Sequence, residues 1–98
     1  MAEFLILTPH IGGDPKRERV IMEAVIEAAE VSGISRIVKR RGNVYSIGVY
    51  LCHESGKSLL YNDWGREWDK ESIFNLIISS LRLSRSARPI DQLVLSVS

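Results

Sequence analysis

The chain has 98 residues, 45% of them hydrophobic and 26% charged, with a formal net charge of +1 and one cysteine. Its length favours one domain around one core, and its ordinary composition excludes a disordered or fibrous chain. A charge this balanced gives no footing by itself for nucleic acid or membrane binding, and with Cys52 alone neither an internal disulfide nor a cysteine zinc cluster can form within one chain.

Glu3 to Thr8 carries Phe-Leu-Ile-Leu, a continuous apolar run suited to a strand buried on both faces. It is far too short for a signal core or a membrane span, and no basic segment precedes it. A cytoplasmic protein with no membrane partner is the expectation, in which Cys52 serves as a small hydrophobe.

After Pro9 a loop leads to Asp14-Pro15, an N-cap followed by proline at the first helical position. The first helix should reach about Ser32. Its buried stripe is Val20, Ile21, Ala24, Val25, Ala28 and Ala29, its outer face carries Glu23, Glu27 and Glu30, and Gly33 stops it.

Ser35 to Arg41 reads as a strand with Ile37 facing inward. Gly42-Asn43 reads as a two-residue hairpin turn into a central strand, Val44 to Cys52. Alternation along that strand puts Tyr45, Ile47, Val49 and Leu51 on one side, with Ser46, Gly48, Tyr50 and Cys52 on the other. A second turn at Glu54-Ser55-Gly56 leads to a strand at Lys57 to Asn62, completing a three-stranded meander.

Asp63 to Trp68 is a loop, and Asp69 caps a second helix from Lys70 to about Leu83. That helix buries Ile73, Phe74, Ile77, Ile78 and Leu81, with Leu76 widening the stripe. Ser84 to Pro89 reads as a linker, and Leu93, Leu95 and Val97 alternate as a last strand over Gln92 to Val97. The predicted fold is one α+β domain over residues 1–98, in the order β-α-β-β-β-α-β. Two helices cover one face of a mainly antiparallel five-stranded sheet, as in a ferredoxin-like relative with an added strand.

Candidate chemistry is sparse. Gly56-Lys57-Ser58 is not a phosphate-binding P-loop, because Leu51 stands where its first glycine belongs and the setting is a hairpin. His10, Gly12, Gly13, Lys16 and Arg17 could form an anion site at the first helix N-terminus, although Asp14 competes for the same amides. His10 and His53, with Asp14 or Asp63, would make a metal or acid/base pair only if their strand ends share one edge of the sheet. Trp64, Arg66 and Trp68 lie together on one loop, and these residue types are enriched where proteins bind partners. Arg36, Lys39, Arg40 and Arg41 with Tyr45 have the composition of phosphate contacts beside a stacking aromatic.

Arg41-Gly42-Asn43-Val44-Tyr45, Gly56-Lys57 and Asp69-Lys70-Glu71 resemble the three-strand-plus-helix DNA-binding module of phage-type integrases, but the middle strands here are more apolar than a DNA-reading face. The element order also resembles the core of restriction-endonuclease-like folds. That resemblance implies a metal held by Glu-x-Lys or Asp-x-Lys, and no such pair occurs between Ser35 and Asn62.

With no catalytic set, cofactor or metal expected, the leading expectation is a non-enzymatic interaction module that binds a protein partner or itself as a homodimer. Nucleic-acid binding through Arg36 to Arg41 is the alternative. An anionic-ligand binder or small enzyme at His10 to Asp14 is the third.

Overall fold

Strand β1 (Glu3–Pro9) decides the architecture. The computed structural model describes residues 2–64 and 69–97, with side chains placed as far as residue 83. After β1 come α1 (Pro15–Ser32), β2 (Ile37–Gly42), β3 (Gly48–His53), β4 (Gly56–Asn62) and α2 (Lys70–Val97). The apolar run of β1 would be wasted at an edge, and the strand lies in the interior of a four-stranded sheet of order β2-β1-β3-β4. Its pairing with β2 is parallel and with β3 antiparallel, while β3 and β4 form an antiparallel hairpin. The protein is therefore α+β with two helices on a mixed sheet.

Three expectations are corrected. Gly42-Asn43 does not close a hairpin, because β1 lies between β2 and β3. Turn chemistry is a local signal, and here the gain from burying β1 between two partners outweighs it. Second, β3 starts at Gly48, not Val44, so residues 44–47 form a connection across the end of β1, and Tyr45, expected on the same strand side as Ile47, Val49 and Leu51, is 95% exposed while those three are buried. Third, neither the linker at Ser84 to Pro89 nor the strand at Gln92 to Val97 forms, since the backbone is helical to Val97. A helix already nucleated gains one hydrogen bond per added residue, whereas a new strand must first find an edge. Ile90, Leu93, Val94 and Val97 satisfy a helical period as well as Leu93, Leu95 and Val97 satisfy alternation.

Caps fall where the sequence placed them. The Asp14 carboxylate accepts from the amides of Lys16 and Arg17, at 3.0 and 3.4 Å. Gly33 adopts φ 76° and donates its amide to the Ala29 carbonyl, ending α1 in the left-handed conformation that glycine tolerates best. Asp69 caps α2 by accepting from the Ser72 amide at 3.0 Å.

Both helices pack on one face of the sheet. Phe4, Ile6, Val49 and Leu51 meet Ile21, Ala24, Val25 and Ala28 of α1 and Ile73, Ile77 and Leu81 of α2 in one buried cluster. A register irregularity between Val49 and Tyr50 lets two successive β4 residues, Leu60 and Tyr61, both be buried. Lys70 reaches from α2 to Glu27 on α1 at 2.6 Å. Among the described residues, no helix is long and apolar enough to cross a membrane.

Candidate functional site

Two surfaces follow from this topology. The first is a cleft at the sheet edge where β1 and β4 end and β3 begins, with a volume of about 460 Å³, inside the range of roughly 300–1,000 Å³ common for small-molecule sites. Pro9, Gly12, Gly13, Asp14 and Arg17 form one wall, and Tyr45, Ser46, Ile47, Asp63 and Trp64 form the other.

The end of β4 holds this cleft together. Asp63, only 5% exposed, accepts the Ile47 amide on Oδ1 at 2.7 Å and the Arg17 guanidinium on Oδ2 at 3.4 Å. Its own amide donates to the Ile47 carbonyl at 3.0 Å. Next to it, Asn62 Oδ1 accepts from the Ser46 hydroxyl at 3.1 Å and the Trp64 amide at 2.9 Å. Two adjacent side chains thus fix the segments that carry Tyr45 and Trp64. Both aromatics remain open to solvent, at 95% and 72%.

Residues from three separate motifs converge here. Gly12, Gly13 and Arg17 from the glycine loop, Tyr45 from the basic stretch and Trp64 from the tryptophan loop all line the one cleft. His10 is exposed just after β1, and Lys16 is exposed beside Asp14. Arg66 and Trp68 lie outside the described residues.

The histidines do not meet. His10 follows the C-terminal end of β1, whereas Cys52, the neighbour of His53, pairs with Glu3 at the strand's opposite end. His53 hydrogen-bonds the Ser55 hydroxyl at 2.8 Å. Among the described residues, no three potential metal ligands cluster. The basic stretch is also divided. Arg36 is paired with Glu3 at 2.7 Å, Arg41 donates to the Pro9 carbonyl at 3.2 Å, and the pleat sends Lys39 and Arg41 to the opposite face from Arg40.

The second surface is the face of the sheet that the helices leave bare. Cross-strand register arranges it in rows. Val38, Leu5, Tyr50 and Leu59 cross the middle row, with Arg40, Leu7, Gly48 and Asn62 on one side of it and Glu3, Cys52 and Lys57 on the other. Leu5, Leu7, Val38, Tyr50 and Cys52 are half-buried, and Leu59 is 55% exposed. The Lys57 ammonium lies 5.0 Å from the centre of the Tyr50 ring. That ring folds over Gly48, where a Cβ would come within 2.9 Å of it.

Among known proteins, the chain matches no family model, no curated sequence and no solved structure.

Sequence reasoning did not single out Asn62 or Ser46, or the joint role of Asp63. Their importance comes from the placement of residues 44–47 across the end of β1, and that placement depends on strand order. The Asn-Asp pair at the end of an apolar strand was the available local signal, since both side chains readily accept from nearby amides.

Proposed function

We propose that the protein is a non-enzymatic interaction module that pairs with a second copy of itself across the bare sheet face. The supporting observation is β1: an interior strand with Leu5 and Leu7 on the uncovered side, in a row of apolar side chains that reaches both edges of the sheet. Strands apolar on both sides are ordinarily covered on both sides.

The face suits its own copy. A two-fold axis parallel to the strands exchanges β2 with β4 and β1 with β3 at constant height. Val38 then meets Leu59 of the second copy, Leu5 meets Tyr50, and Leu7 lies over Gly48. In the end row Lys57 faces the second copy's Arg36–Glu3 ion pair, with Glu3 one strand spacing, about 4.8 Å, to the side. Sheets packed in this way align within about 30°. The face measures roughly 400 Å² per copy before side-chain relief, about 800 Å² for the pair, below the roughly 1,000 Å² of stable interfaces and in keeping with a weak, reversible association.

Light scattering over a concentration series tests the proposal. The expected result is a monomer–dimer equilibrium in the micromolar range, shifted to monomer by Leu59→Glu with an unchanged circular dichroism spectrum. A monomer at every concentration, or a Leu59→Glu protein that still dimerises like the parent, contradicts it.

A further inference from the structure

The edge cleft is independent of the sheet-face contact, and we infer that it binds a nucleotide, with the base held by Tyr45 and Trp64 and the phosphate at the rim beside Lys16 and Arg41. Two aromatics that are 95% and 72% exposed at one cleft are costly to leave in water and offer π-faces for a planar ligand. Behind them, Pro9 and Ile47 supply an apolar surface. The Arg17–Asp63 pair closes the inner end of the cleft, with Asp63 held by the Ile47 amide as well.

Charge decides which end of the ligand goes in. The lining has two carboxylates and one guanidinium, Asp14, Asp63 and Arg17, so an anionic group inside would face a net negative wall. The uncharged base is therefore the inner part. The cations lie outside: Lys16 is exposed on the first turn of α1, and the Arg41 guanidinium is tethered to the carbonyl of Pro9, itself a lining residue. Gly12, at φ 78°, has no atom within 4 Å of the position its Cβ would take, so the space above this part of the cleft wall is open.

Calorimetric titration with the four ribonucleoside monophosphates, their nucleosides and inorganic phosphate tests this. At least one monophosphate should bind about tenfold or more tighter than its nucleoside or than phosphate alone. Tyr45→Ala should weaken it by a similar factor with no change in melting temperature, since the side chain makes almost no contact within the fold. Lys16→Gln with Arg41→Gln should weaken the nucleotide but not the nucleoside. An octamer of thymidylate that binds tighter than the monophosphate, with a steep salt dependence, would identify a single strand as the source of the nucleotide; equal affinity would identify a free nucleotide. Failure of every monophosphate to saturate the protein, or full binding by Tyr45→Ala, overturns the inference.

Discussion

Asp63 carries more of the cleft than any other side chain. It is buried, joins α1 to the 44–47 connection, and precedes Trp64 in the chain. Asp63→Ala leaves the Ile47 amide without its acceptor, a loss of about 1–3 kcal/mol for a buried donor. Thermal unfolding should show that loss, and proteolysis should cut first near Tyr45. An unchanged melting temperature would mean that the connection is held by other contacts. Little of this could be read in the sequence, because a carboxylate preceding a tryptophan looks the same whether it faces solvent or clamps a distant strand. The histidines pose the same problem: whether His10 and His53 share an edge depends on strand order, and the structure places them at opposite ends.

At the scale of elements, helix starts were legible and strand partners were not. Asp14-Pro15 and Asp69 act within one turn of themselves, so their chemistry is complete in a few residues. Asp14→Ala should cost about 1 kcal/mol, measured as a shift in the urea midpoint with unchanged slope. Hydrogen bonds from the Ser72 hydroxyl and amide hold the Asp69 carboxyl below its ordinary range. A carboxyl depressed on folding contributes stability above its unfolded pKa and loses it as pH falls through the folded value. Hydrogen bonding and charge attraction from Glu27 raise Lys70 above its ordinary value, so that contribution is present below the unfolded pKa and fades as pH rises through the folded one. Stability should therefore decline toward both acid and strong alkali, and Asp69→Ala should make the acid limb slightly shallower while leaving the alkaline limb unchanged in a pH series of melting temperatures. An acid limb as steep in Asp69→Ala as in the parent would remove the cap from this account.

Gly42-Asn43 shows why pairing was harder to read. The dipeptide fits a tight turn, but β1 offers two apolar faces and two unpaired edges, and the sheet gains more by enclosing it. The C-terminal segment failed for a different reason: two periodicities fit the same residues, and continuation of α2 decided between them.

At the scale of the molecule, one core joins both helices to one sheet face, and Ile77 is fully buried at its centre. Ile77→Ala should cost about 2–5 kcal/mol, a large fraction of the stability of a domain this size. Chemical denaturation gives that number directly, and a loss below about 1 kcal/mol would mean that the α2 contact with the sheet is loosely packed. Among the described residues, the opposite face has no such cover. The sequence already hinted at this, since Phe-Leu-Ile-Leu asks for burial on both sides and the chain supplies two helices for one of them. Gly48→Ala should displace the Tyr50 ring from its seat and weaken self-association.

Cys52 offers the most direct test, because the protein's only cysteine stands on the bare face between Glu3 and Lys57. Facing sheets lie about 10 Å apart, so the two-fold arrangement brings the two Cys52 residues within reach of a short bis-maleimide. The prediction is a covalent dimer formed in high yield at dimer-populating concentration and lost in Leu59→Glu. A dimer by light scattering whose Cys52 reacts with maleimide but never cross-links would place the interface elsewhere and contradict the account.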